Sequence, residues 1–242
     1  MLYLIGLGIW DEKDLSLKGI EACKKAKEVY AELYTARWGG SLQNLEKLIG
    51  KKIRVLERED MEERSFQIIG RAKEKDIAIL VPGDPLSATT HINLLVDAGQ
   101  DKVPVKVIHS SSILTAVGEA GLSLYNFGRT VSITAPQPNF KPSGFAQSIL
   151  ENRKMGLHTL VLLDISMGVA QGVEVLLGLE KSLKKKIISG QKIVAASGLG
   201  SENQKIIYRN PGELLVSDLG PPAVLLIPGK LHFIEKEFLE GL

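Results

Sequence analysis

One cysteine, Cys23, is all that this chain of 242 residues contains. No intrachain disulfide and no thiolate metal cluster can therefore form. Cys23 falls in a lysine-rich helical stretch and reads as structural or incidental rather than nucleophilic. Aromatic residues make up 5% of the sequence and the net charge is only +2. That leaves neither the stacking platforms nor the basic field of a nucleic-acid-binding protein. The lysine run at 184–186 reads as a solvated helix end, where cations also complement the helix dipole. No apolar run approaches the length that spans a bilayer. The apolar opening, residues 1–10, has no basic leader and runs into Asp11-Glu12, so it reads as a first strand and not as a signal peptide. No His/Cys/Asp/Glu grouping has metal-ligand spacing, and no metal is expected. Repeats and low-complexity segments are absent too. What remains, 44% apolar and 24% charged residues, is the composition of a globular protein, expected to be soluble and cytoplasmic.

Strand and helix patterns alternate along the chain. Strand-like runs fall at 2–9, 28–34, 53–56, 76–82 and 103–109, then at 130–134, 158–165, 192–196, 205–208 and 223–227. Helical patterns fall between them at 15–26, 41–49, 60–74, 87–98, 111–121, 143–155, 167–187 and 232–240. Ser41 with Gly50, and Asp60 with Glu62-Glu63, supply start and stop signals. The β-α alternation of the first half demands a mainly parallel, doubly wound sheet with helices on both faces. The second half has more and shorter strands, with hairpin spacing around residues 198–203, and reads as a mixed sheet. Two α/β domains are expected, 1–110 and 111–242, with a ligand crevice between them.

Two loops are candidates for chemistry. In the stretch 80–91, Leu-Val-Pro-Gly-Asp-Pro-Leu-Ser-Ala-Thr-Thr-His, a strand pattern runs into two prolines and a glycine. They make a stiff turn displaying one carboxylate, Asp84. The carboxyl end of a strand is where open α/β sheets bind ligands, although a plain strand-to-helix turn uses the same residues. The other loop is Gly6-Leu7-Gly8-Ile9-Trp10-Asp11. A dinucleotide fingerprint would want a third glycine where Asp11 stands, and its pyrophosphate would meet Asp11, Glu12 and Asp14. The loop suits a ligand without phosphates, such as the sulfonium of S-adenosylmethionine. Glu32 could imitate the ribose-binding acid of a dinucleotide site, but reads first as an exposed residue at a strand end.

The segments LIGLGIWDEKDLSLKG, VYAELYTA, VPGDPLSATTH, IHSSSILTAVGEAGL, LHTLVLLDI and PGKLHFIE, in that order, resemble the diphthine synthases. These are methyltransferases of the tetrapyrrole-methylase fold. The resemblance covers essentially the whole chain. GDPL is shared with the wider superfamily, whereas GDPLxATTH, HSSSI, LHTLxxLDI and PGKLH together point to the diphthine branch. The resemblance implies a homodimer that uses S-adenosylmethionine, releasing S-adenosylhomocysteine. Its substrate would be the amino group of an aminocarboxypropyl-modified histidine on translation elongation factor 2, a step of diphthamide biosynthesis. It also implies cofactor contacts at Ile9, Asp84, Ser87, Ser112, Ile113, Leu163 and His232, and one near Leu199, where residues 195–200 depart from the family pattern.

Each position also has a plainer reading. Asp84 could cap a helix starting at Ser87, and one serine of Ser110-Ser111-Ser112 could cap the next helix while free N–H groups there receive a carboxylate. Ile113 and Leu163 would otherwise be core residues, His232 a helix cap, and His91 and His158 structural. No general base is evident. Two other functions stay open: a tetrapyrrole (precorrin-type) methyltransferase, and a nucleotide- or NAD-binding protein built on Gly6-Leu7-Gly8 and Glu32. On this reading Asp84→Ala should weaken S-adenosylhomocysteine binding in calorimetry and leave the thermal transition nearly unchanged; an unaltered dissociation constant would return Asp84 to the capping role.

Overall fold

The computed structural model describes residues 1–134 and 144–242, which divide into two compact units, Met1–Ala116 and Val117–Leu242.

The first unit is a five-stranded sheet flanked by helices. Its chain order is β1 (Leu2–Gly6), α1 (Leu17–Lys25), β2 (Glu28–Glu32), α2 (Leu42–Ile49), β3 (Ile53–Leu56), α3 (Arg58–Glu62), α4 (Ser65–Glu74), β4 (Ile77–Val81), α5 (Ile92–Gln100), β5 (Val105–Ile108) and α6 (Ile113–Ala116). The strands lie in the order β3-β2-β4-β1-β5, every pair parallel. Alternation along each strand sorts the apolar side chains onto two faces. Leu2, Leu4, Ile77, Ile79 and Val81 pack with Ile68, Ile69 and Leu94 of α4 and α5. Tyr3, Ile5, Ala78 and Leu80 pack with Cys23, Leu45 and Ile49 of α1 and α2. Both faces are covered, which is why the central strands read as continuous apolar runs. Cys23 is fully buried here, and burial pushes its thiol up to about 12, so it is no nucleophile.

From the end of β1 the chain returns toward β2, and from the end of β4 it leaves toward β5. These departures are in opposite directions from neighbouring strands. The carboxyl ends of β1 and β4 are thus the topological switch point of the sheet, the usual place for a ligand in such folds.

The second unit contains β6 (Val131–Ile133), α7 (Gly144–Lys154), β7 (Thr159–Leu163), α8 (Val169–Leu183), β8 (Ile193–Ser197), β9 (Lys205–Arg209), α9 (Pro211–Leu214), β10 (Ala223–Ile227) and α10 (Phe233–Glu240). Its sheet runs β6-β7-β10-β8-β9. β6 and β7 are parallel, and the remaining pairs are antiparallel. This is the expected mixed sheet, with β8 and β9 forming the expected hairpin. A separate apolar core, including Val161, Val173, Leu176, Ile193 and Leu225, holds it together.

The departures from the expected elements are local. The helix expected over 60–74 is two helices, because Glu63 and Arg64 both donate to the carbonyl of Glu59 and close a turn. The one expected over 87–98 starts only at Ile92. Asp84 accepts from the Leu86 amide, Thr89 Oγ1 donates to the Pro85 carbonyl and accepts from the His91 amide, and Ala88 takes a positive φ of 60°. Short polar side chains there offer the chain an alternative to helix. The helix expected over 111–121 is α6 followed by a 3-10 turn, Val117–Ala120. The first residue of the helix expected over 143–155 lies outside the described residues. α9 carries no apolar period long enough to announce it.

Candidate active site

The glycine-rich loop after β1 and the proline-flanked loop after β4 are bonded to each other. Gly8 N–H donates to the Gly83 carbonyl at 3.1 Å and Gly83 N–H to the Gly8 carbonyl at 2.8 Å. Both glycines sit at positive φ, 88° and 70°, a conformation in which a side chain would be strained. The loop after β5 joins them, although β1 lies between β4 and β5. It can do so because β1 ends in Gly6. A methyl group there would lie 2.5 Å from the Gly83 carbonyl oxygen, 2.8 Å from Ser110 Cβ and 3.1 Å from Pro85 Cδ.

Asp84 ties the loops together. Its Oδ1 accepts from the Leu86 amide (3.0 Å) and the Ser87 hydroxyl (3.2 Å). Its Oδ2 meets Nδ1 of His109 at 2.7 Å and accepts from the Ser110 amide at 3.2 Å. The side chain is 8% exposed. Burial pushes its pKa up, and the Leu86, His109 and Ser110 hydrogen bonds outweigh that, so it is held below the usual aspartate range. Asp84 does not cap α5, which begins eight residues later at Ile92. It fastens its own turn to the end of β5.

Of the other residues expected at the site, Ile9 is half-buried in the first loop and Ser87 half-buried in the second. Ser112 is 4% exposed; its carbonyl accepts from Thr115 and Ala116 and so opens α6, with Ile113 as that helix's first residue. These four positions lie in, or directly after, the loops that meet around Asp84. In the second unit, Leu163 ends β7 and packs on Gly172 of α8. Leu199 is 5% exposed in the β8–β9 turn, between Gly198 and Gly200 at positive φ. His232 caps α10: its Nδ1 accepts from the Ile234 amide (3.4 Å), while Glu235 accepts from the His232 amide (2.7 Å).

A dinucleotide reading fails on the details. Glu32 is fully buried, not exposed at a strand end as expected. Its carboxylate accepts from Tyr34 and Thr35 and pairs with Nε2 of His91 at 3.1 Å, leaving it no role on a ribose. The segment after the first loop is a three-residue 3-10 turn, Glu12–Asp14, rather than a helix start. Asp14 accepts from Trp10 (2.7 Å), Asp11 from Lys13 (2.8 Å), and Glu12 from Ser41 (3.0 Å) and Asn44 (2.8 Å). These carboxylates organise the loop and leave no cradle for a pyrophosphate.

Two features lay beyond sequence reading: the Asp84–His109 pair and the burial of Glu32. The available signal for the first was positional, a histidine ending one expected parallel strand and an aspartate closely following another.

The comparisons with known proteins bear on the family and the fold. The family model for tetrapyrrole (corrin/porphyrin) methylases matches residues 1–215. A diphthine synthase of Methanocaldococcus jannaschii is 43% identical across all of this chain and 98% of its own. A diphthine methyl ester synthase of Schizosaccharomyces pombe is 39% identical across all of this chain and 94% of its own. A solved structure titled diphthine synthase superposes with a TM-score of 0.91 at 36% identity, covering 99% of this chain and 94% of that one.

The four bonds of Asp84 reverse one expectation: its loss should be felt in stability. Asp84→Asn should cost roughly 1–3 kcal/mol at neutral pH, as expected when buried partners go unsatisfied. A carboxylate with a depressed folded pKa stabilises above its unfolded value, about 3.9, and loses that contribution as pH falls through the folded one. Denaturant titrations should therefore show wild-type stability falling below about pH 4, with a shallower fall in Asp84→Asn. Equal curves would show the carboxylate to be energetically idle. Gly6→Ala should lower the thermal transition and, by parting the loops, weaken S-adenosylhomocysteine binding; wild-type behaviour in both assays would contradict the close approach described above. The matched family, the full-length relatives and the shared sheet topology place this chain in the tetrapyrrole methylase family, in its diphthine synthase branch, as a methyltransferase.

Proposed function

We propose that the chain transfers methyl groups from S-adenosylmethionine to the amino group of an aminocarboxypropyl-modified histidine on translation elongation factor 2, forming diphthine for diphthamide biosynthesis. The observation that carries this reading is the knot of loops at the sheet's switch point, whose carboxylates are engaged by the protein's own donors. Such a site suits a cationic donor with no phosphates. When bound, the cofactor would supply an electrophilic methyl carbon on a sulfonium, with a neutral thioether as the leaving group.

The chain's own part is to hold and orient. Ile9, the backbone around Asp84 and Ser87, and Ser112 with Ile113 would hold the cofactor in the first unit. Leu163, Leu199 and His232 are the contacts proposed from the second. Ser87 would act through its backbone, since its hydroxyl is engaged by Asp84. His232 would bind rather than catalyse, since its ring already caps α10. Holding amine and methyl in line is worth up to roughly 7–11 kcal/mol in well-oriented reactions. We further propose a cytoplasmic homodimer as the working form.

The test is transfer of labelled methyl to elongation factor 2 carrying the modified histidine, with the unmodified factor as control. Label should appear only on the modified factor, and its resistance to mild alkali would place it on nitrogen rather than in an ester. Calorimetry should show S-adenosylhomocysteine binding and no NAD binding. Transfer to a tetrapyrrole with none to the factor would overturn the proposal.

A further inference from the structure

The proposed reaction needs an uncharged amine, yet an alkyl ammonium is protonated at neutral pH. A base must take its proton. Histidine is the side chain best matched to that task, and the chain has four. Hydrogen bonding separates them. His91 is 3% exposed, with Nε2 bound to Glu32. His158 is fully buried and both ring nitrogens are engaged: Nδ1 accepts from the Gly229 amide at 2.9 Å and Nε2 meets Glu235 at 3.2 Å. His232 accepts at Nδ1 from the Ile234 amide, so its neutral ring carries the proton on Nε2 and offers no lone pair there.

His109 differs from all three. Its Nδ1 lies 2.7 Å from Oδ2 of Asp84, and its side chain is 69% exposed. An ionised carboxylate can only accept, so the neutral ring carries its proton on Nδ1 and presents a bare lone pair at Nε2. Asp84 is the one charged group bonded to this ring among the described residues. Three further donors pin the carboxylate, so the ring is held by a fixed partner. A carboxylate that fixes one tautomer of an imidazole and stabilises the imidazolium is the arrangement found in acid–base dyads. His109 also stands three and four residues before the proposed cofactor contacts Ser112 and Ile113, in the loop that leads into α6.

We propose that His109 is the general base of the methyl transfer, oriented by Asp84. This rests on the functional reading above. The ammonium proton passes to Nε2 of His109; the freed nitrogen lone pair then forms the bond to the methyl carbon as the methyl–sulfur bond breaks, its pair leaving on the sulfur of S-adenosylhomocysteine. The imidazolium afterwards gives its proton to water, ready for a further methylation of the same nitrogen.

The test combines transfer rates with two measurements that need no turnover. In the free protein, 15N NMR should show neutral His109 as the Nδ1–H tautomer. Calorimetry on His109→Gln should give a dissociation constant for S-adenosylhomocysteine within about twofold of wild type. At pH 7 the kcat of His109→Gln should fall at least ~10²-fold, the low end of general-base contributions. Its residual rate should rise about tenfold per pH unit, as the acceptor amine loses its proton to solvent. His109→Ala should behave alike and recover in part with added imidazole. A wild-type kcat and pH profile in His109→Gln, or an Nε2–H tautomer in the free protein, would overturn the assignment. If wild type itself binds no S-adenosylhomocysteine and labels no factor, the functional reading fails first and takes this inference with it.

Discussion

The site depends on a missing side chain. Because β1 ends in Gly6, the loops following β4 and β5 can meet over the end of the strand that separates them. Their meeting lets the Asp84 carboxylate reach His109 and Ser110. The reciprocal Gly8–Gly83 hydrogen bonds then lock the first loop to the second. Any residue larger than glycine at position 6 would collide with a carbonyl oxygen and two neighbouring side chains. The chain's own hydrogen bonds thereby fix the three strand ends to one another, as a preorganised site requires.

This constraint explains why the carboxylates near the site are unlike those of a nucleotide pocket. Asp84, Asp14, Glu12 and Glu32 all accept from nearby backbone or side-chain donors. Each holds a turn in place, and the sum is an electronegative but rigid frame. Such a frame disfavours an incoming pyrophosphate and tolerates a sulfonium or an ammonium. The same arrangement fixes the imidazole of His109, so loop architecture and acid–base chemistry have one origin.

Much of the architecture was legible in the sequence because it rests on local signals. The continuous apolar runs of Leu2 to Ile5 and of Ile77 to Leu80 placed two central strands. Ser41 and Gly50 framed α2, and the residues around Gly198 announced the hairpin. Strand order was not legible, since it depends on which crossover passes over which strand. Without it, nothing in the sequence says that Asp84 and His109 touch. Glu32 misled for a related reason: a charged residue at a strand end reads as exposed, and only the fold reveals His91, 59 positions away, against it. α5 starts later than its apolar pattern suggests because Asp84, accepting from Leu86, and Thr89, bonded to Pro85 and His91, hold the chain in turns ahead of Ile92. The resemblance to the diphthine synthases named site positions, while the contacts explain what several of those side chains do.

The most direct measurement of the central claim is a crystal structure of the protein with S-adenosylhomocysteine. The account predicts the ligand against Gly83–Asp84 and Ser112–Ile113, with both Gly8–Gly83 hydrogen bonds and the Asp84–His109 contact intact. A ligand bound elsewhere, or one that enters only after those bonds have opened, would contradict it.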